Sequence, residues 1–494
     1  GASSSSSSSQ NRTFHNSGKT SEKSTTSSPS PSPSPRSPLL RELLQRIQWS
    51  GPLTVAEYMK TALTHPRHGF YTASPEVFGS RGHFTTSPEV SALFGEMVAV
   101  WVLYEWQRRT AAANRKSPLR VVELGPGRGF LTSDVARVLA QFAAKNSSGT
   151  PNQMVSFHLV EISDRLRAIQ ERNICGEKEA SSSKTPRTAH GQPISWHRSL
   201  EELLSVFAEE QEQEEPKEDK VEQQPKQPFT VFLANEYFDA FPVHKFVRSG
   251  SSSSSGEQQQ SAWREVLVDM TPTGDALRLI QARHPTPASQ YFTSASNEAI
   301  ISKITGDHYE VCPGALLQTA AIVDQLTSQS ADGGDGGPGG ALLIIDYGFD
   351  AAEDNQKPPN RDTFRAFRAH ALADPLAEPG AADLTADVDF AAIRSQLKAK
   401  SKKKDVQVFG TVTQEHFLRQ LGIGLRLQML LAQNAKHLEP EARQQLVASV
   451  RMLLEEMGRR FRVMAVFAGG GGNGSDQYGT PVGFEQEKEE EKKV

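Results

Sequence analysis

The chain has 494 residues, with 54 Lys and Arg against 58 Asp and Glu for a formal net charge of −4, and 37% hydrophobic residues. No apolar run approaches the ~18 residues of a membrane-spanning helix, and the near-neutral charge argues against a generally basic nucleic-acid surface, so neither a membrane span nor a nucleic-acid partner is expected. Two cysteines, Cys175 and Cys312, exclude a disulfide-rich scaffold and a cysteine zinc finger.

Residues 1–38 are rich in Ser and Pro and basic, with one acid, Glu22. Such a segment buries too little apolar surface to order itself. It reads equally as a disordered tail or a transit-peptide remnant. Residues 39–118 follow as a helical region. Thr54 and Glu57 have capping-box spacing, and Ser87-Pro88-Glu89 has the residue types of a helix start. The helix after it, VSALFGEMVAVWVLYEW, is apolar nearly all round and should be buried.

From 119 to 242 short apolar runs alternate with helical stretches: LRVVEL, VSFHLVEI, PISWHR and FTVFLANEYFDAFPV. Between 243 and 310 VHKFVR, WREVLVDM and ALRLIQA read as antiparallel strands of an inserted lobe. Residues 311–467 return to the first pattern with ALLIIDYGFD and a late FRVMAVF, and 468–494 form a second coreless tail. Alternating strands and helices predict an α/β fold with a mixed, mostly parallel sheet. The lobe is read as a surface for substrate or for dimerisation, so a homodimer stands among the expectations. The low-complexity insertions at 206–228, 249–261 and 328–340 carry no chemistry.

The most informative segment is VVELGPGRGF. A strand ends at Glu123-Leu124, and Gly125, Gly127 and Gly129 turn into a helix. Missing Cβ atoms let a ligand approach the backbone at the carboxyl end of a parallel sheet. Glu161 ends the next strand, where a carboxylate accepts hydrogen bonds from ribose hydroxyls. The spacing is GxGxG, whereas the dinucleotide fingerprint is GxGxxG. Glu123 would attract an amino-acid ammonium and repel a pyrophosphate. Both points favour S-adenosylmethionine over a nicotinamide cofactor. The histidines show no metal spacing, and neither a GxSxG elbow nor a P-loop is present.

Several blocks together, GHFTTSPEVSALFGE, VVELGPGRG, HLVEIS, ANEYFDAFPVHKF, IIDYG, TFRAF and GAADLTADVDF, closely resemble the MidA-like family. They span about residues 51 to 467, with the low-complexity insertions between them. The resemblance implies a Rossmann-like class I S-adenosylmethionine-dependent methyltransferase. It also implies a mitochondrial matrix location and a role in complex I assembly. The implied substrate is an arginine, dimethylated symmetrically, in the iron–sulfur subunit beside the quinone site.

Transfer to arginine must bring a sulfonium beside a guanidinium that is always charged. Carboxylates at the transfer point offset that repulsion. Glu236, after the fourth strand, is the candidate to orient the guanidinium. Asp239 is its helper, and Asn235 is placed near the methionine part or the substrate. Asp346 and Tyr347, ending the fifth strand, are substrate candidates, with Asp346 equally able to bind loop amides. FTTSPE is a candidate lid in which Thr86 and Ser87 offer hydroxyls to the cofactor. Ser199, near the end of the third strand, is placed by the adenine. The cluster Asp383, Thr385, Asp387 and Asp389 reads as helix caps or as a receptor for a basic peptide. A non-catalytic assembly chaperone and a nicotinamide-dependent oxidoreductase are the alternatives.

Overall fold

The computed structural model describes residues 37–73, 85–112, 117–145, 154–176, 186–213, 227–248, 263–294, 297, 301, 302, 304, 306–329, 339–350, 362–401, 406–434, 438–469 and 479–485. Most of the low-complexity tails and insertions, and Phe84 at the start of the expected lid, lie outside them.

Among the described residues seven strands run in line across the central sheet: β1 (Leu119–Leu124), β2 (Val155–Val160), β3 (Ile194–His197), β4 (Phe229–Asn235), β5 (Gly340–Phe349), β6 (Val406–Thr413) and β7 (Phe461–Ala468). Their order across the sheet is β6-β7-β5-β4-β1-β2-β3, and the two-residue strand Val388–Asp389 adds to the end of β5. All neighbouring pairs from β5 to β3 are parallel. β7 runs antiparallel to both β5 and β6. The burial of β1, β4 and β5 is nearly continuous, as expected of parallel strands covered on both faces.

The helices follow the predicted punctuation. The capping box is formed: Glu57 N–H donates to Thr54 Oγ1 (3.0 Å) and Thr54 N–H to Glu57 Oε2 (2.9 Å). The apolar helix Ala92–Ala112 packs Phe94, Val98, Trp101 and Val102 into the core beside the sheet, although Val100 and Tyr104 stay exposed. β6 was not foreseen. Its sequence VQVFGTVT follows a lysine run and has only its first and sixth residues buried, so its apolar pattern is too thin to mark a strand.

The antiparallel lobe contains His244–Arg248, Trp263–Met270 and Leu277–Gln281, as the sequence predicts, joined by His308–Val311. Leu53–Thr54 also pairs with Leu267–Val268. The helix Pro38–Ser50 buries Leu39, Leu40, Leu43, Leu44 and Ile47 in the same apolar cluster as Val266 and Val268. The N-terminal helices and the lobe therefore share one core.

Candidate active site

The strand order reverses direction between β1 and β4, which places a crevice at their carboxyl ends. Gly125, Gly127 and Gly129 all have positive φ, at 60°, 53° and 79°. A Cβ on Gly125 would lie 2.7 Å from Cδ2 of Tyr237, and one on Gly129 would lie 2.8 Å from Cδ1 of Ile174. Two of the three glycines are thus required by protein neighbours as well as by backbone conformation.

Glu123 is 4% exposed. Its Oε2 accepts from the N–H (3.0 Å) and hydroxyl of Thr132, tying the strand end to the first turn of the helix Phe130–Lys145. Glu161 is 8% exposed. It accepts from Ser163 N–H (2.8 Å) on one oxygen and from Gln170 Nε2 (2.9 Å) on the other. Burial pushes both carboxyls up to about 7.

Gln170 is a site residue that sequence reasoning missed. It is fully buried; its Nε2 also donates to Gly127 O (2.8 Å), and its Oε1 accepts from Trp196 Nε1 (2.9 Å). One amide therefore links the ends of β1, β2 and β3. The signal was available: Leu166, Gln170 and Ile174 fall at i, i+4 and i+8 on the buried stripe of one helix, and a polar residue in such a stripe needs partners.

Beyond the glycine turn lies a second group of acids. Glu236 has φ +49°. Its Oε1 accepts from Ser87 N–H (2.7 Å) and from Asn235 Nδ2 (3.3 Å). Burial lifts its carboxyl to about 8. Asp239 accepts from Thr385 Oγ1 (2.9 Å), and burial lifts it to about 6. Asp383 is raised well above its ordinary range by burial and by Asp239, and accepts from Tyr71 Oη (2.8 Å). None of Glu123, Glu161, Glu236, Asp239, Asp346 or Asp383 has a Lys or Arg within 4.0 Å among the described residues; Arg365, which acts on Asp239, is paired with Asp387 at 2.7 Å. Asn235 Oδ1 is buried with no hydrogen-bond partner among the described residues.

Several expectations change. Ser87 is fully buried, and its hydroxyl lies 3.4 Å from Gln414 Oε1 and acts on the Glu236 carboxyl. Its N–H holds Glu236, so the helix start at Ser87–Val90 addresses a protein carboxylate. Thr86 opens the same turn, with its N–H on Glu89 Oε2 (3.3 Å). Ser199 caps the helix Leu200–Gln213, accepting from Glu202 N–H (3.2 Å). Trp196, through Gln170, connects to Glu161 in its place. Asp346 is fully buried, and both its oxygens are taken by loop amides, so burial replaces its reading as a substrate contact with the other one. Tyr347 remains partly exposed, its ring centroid 4.0 Å from that of Phe461. In the acidic cluster only Asp389 caps a helix, accepting from Ala392 N–H (2.9 Å); the others are bound to Tyr71, Asp239 and Arg365.

A family model described as an S-adenosyl-L-methionine-dependent methyltransferase matches residues 97–410. A relative from Danio rerio, called protein arginine methyltransferase NDUFAF7, mitochondrial, is 37% identical over 437 residues, covering 87% of this chain and 86% of that protein. The Homo sapiens protein of the same name is 37% identical over 440 residues, covering 87% and 83%. The chain belongs to the MidA-like family of methyltransferases. A crystal structure from Burkholderia thailandensis bound to S-adenosyl-homocysteine shares the fold, with a TM-score of 0.63 at 23% identity over 90% of this chain and 95% of that one. The enzyme is a class I methyltransferase that uses S-adenosylmethionine, and the nicotinamide alternative falls away.

The residues present suit that cofactor. Buried acids without a basic partner fit a cationic donor, and the orphaned Asn235 Oδ1 offers an acceptor for an ammonium or a guanidinium. No described helix is long and apolar enough to cross a membrane.

Proposed function

We propose that the enzyme transfers methyl groups to arginine in a protein substrate in the mitochondrion, and that Glu236 binds the guanidinium. The bound cofactor supplies an electrophilic methyl on a positive sulfur; the chain's own task is to bring a second cation up to it in line. The observation that carries this reading is the set of acids beyond the glycine turn, the buried Asp239 and Asp383 and the partly buried Glu236, with no Lys or Arg within 4.0 Å among the described residues. Burial raises each carboxyl, so an incoming guanidinium favours the charge that burial opposes. Glu236, fixed at one oxygen by Ser87 N–H, has its other oxygen for the substrate. Asp239 supports it, and Asn235 and Tyr347 border the acceptor side. Glu123, Glu161 and the three glycines hold the cofactor, with Thr86 near its methionine end. Ser199 contributes only through the loop it caps.

The names of the relatives support arginine as the acceptor and the mitochondrion as the location. The finer reading is symmetric dimethylation, in the matrix, of the complex I iron–sulfur subunit beside the quinone site, as a step in complex I assembly. The test is mass spectrometry of that subunit from cells carrying the parent protein or Glu236→Gln. Gln is nearly isosteric, so thermal stability and S-adenosyl-homocysteine binding should stay close to the parent. Removing one member of a desolvated charge pair costs about 2–5 kcal/mol, so kcat/KM should fall about 30-fold or more, and the dimethyl mark should vanish. A dimethyl mark undiminished in the variant would refute the role of Glu236. Restored complex I assembly by the unmethylating variant would support the assembly-chaperone reading instead.

A further inference from the structure

Glu236 occupies a left-handed backbone conformation, φ +49°, which a residue with a side chain adopts only when its surroundings impose it. The imposing group sits on the neighbouring strand. Asp346 lies on β5, fully buried. Its Oδ2 accepts from three successive amides, Tyr237 N–H (3.1 Å), Phe238 N–H (2.9 Å) and Asp239 N–H (3.3 Å). Its Oδ1 accepts from Tyr347 N–H (2.8 Å). The preceding amide, Glu236 N–H, donates to Ile345 O (2.8 Å). Every amide from 236 to 239 is therefore bound by residue 345 or 346. Burial and the neighbouring Asp239 raise the Asp346 carboxyl well above its ordinary range, while the amides of Phe238 and Tyr347 act the other way; the clamp stands on the geometry of four amides held by one side chain.

We propose that Asp346 is a positioning residue for methyl transfer: its carboxylate clamps the 236–239 turn so that the side chains of Glu236 and Asp239 are presented to the acceptor, while Asp346 itself never meets the substrate. The proposal rests on the reading of Glu236 as the guanidinium ligand. An Asn at 346 keeps the volume but offers an N–H where one of the two acceptors is needed, so the turn is free to relax toward ordinary φ. A shift of about 1 Å at a reacting group costs on the order of a hundredfold in rate.

The experiment is a double-mutant cycle of Asp346→Asn and Glu236→Gln on the full chain. It reads kcat and KM with an arginine peptide and the Kd of S-adenosyl-homocysteine by calorimetry. Asp346→Asn should lower kcat about tenfold to a hundredfold, keep the Kd near the parent's, and cost clearly less in the Glu236→Gln background, where only the presentation of Asp239 is left to lose. Additive losses, a kcat near the parent's while Glu236→Gln is impaired, or a lost Kd with unchanged kcat would overturn the clamp. Full activity of Glu236→Gln would instead overturn the guanidinium reading. Hydrogen exchange on the parent protein decides the case even if Asp346→Asn fails to fold. The amides of residues 237–239 should exchange far more slowly than those of exposed turns, and free exchange would refute the proposal.

Discussion

Single side chains at this site do two jobs, and substitutions should separate them. Gly125 supplies both a positive φ and room for Tyr237, whose Cδ2 would lie 2.7 Å from an added Cβ. Gly125→Ala is expected to weaken S-adenosyl-homocysteine binding at least tenfold by calorimetry, whereas Gly51→Ala, also at positive φ but with nothing within 4 Å of its added Cβ, should cost about 1 kcal/mol of stability and leave binding intact. Glu236, raised to about 8 by burial, sets a second expectation. A guanidinium binds its ionised form, so KM for an arginine peptide should fall as pH rises from about 6.5 through 8. The trend should disappear in Glu236→Gln; a parent KM that is flat with pH would exclude Glu236 as the ligand. Glu123, Glu161, Glu236 and Asp239 were all legible as acids at strand ends. Trp196 was legible by its place near the end of the third strand; Gln170 and Tyr237 were not, because their roles come from contacts between elements distant in sequence. Ser87 misled for the same reason: its sequence marks a helix start, but only the tertiary structure shows which carboxylate that start faces.

At the scale of elements, the strands of the parallel half announced themselves through runs such as LLII and VFLA, buried on both faces. β6 was hidden because four of its residues in a row are only partly buried, which erases both alternation and run. The N-terminal segment also does more than its local pattern says. Leu43 is 2% exposed and packs in the cluster that includes Val266 and Val268 of the lobe. Leu43→Ala should therefore destabilise the protein by about 2–5 kcal/mol, measured by denaturant unfolding, and should raise hydrogen exchange in Trp263–Met270. If exchange there is unchanged, the N-terminal helices and the lobe are energetically separate.

For the molecule as a whole, the buried acids predict how stability and ligation depend on pH. Glu123 and Glu161 rise to about 7 and Glu236 to about 8, from an ordinary 4.5. A raised carboxyl binds its proton more tightly when folded, so the stabilisation is complete below the unfolded value and is lost as pH climbs through 7 to 8. The Tm of the ligand-free protein should fall between about pH 5 and 8. Saturating S-adenosylmethionine should flatten that slope, and calorimetry in buffers of different ionisation enthalpy should detect proton release when it binds near pH 7. A Tm that rises over the same interval would show that these groups are ionised in the folded protein. A different consequence attaches to β7. It is the last strand among the described residues, yet it pairs on one side with β5 from Gly340 to Tyr347 and on the other with β6 from Val406 to Thr413. A nascent chain emerging from the ribosome therefore carries a five-stranded sheet with β5 as a raw edge, and β6 without a partner strand, until residue 468 is free. Unpaired edges invite association between chains, so a premature stop anywhere before Phe461 should yield aggregates in place of a smaller soluble enzyme.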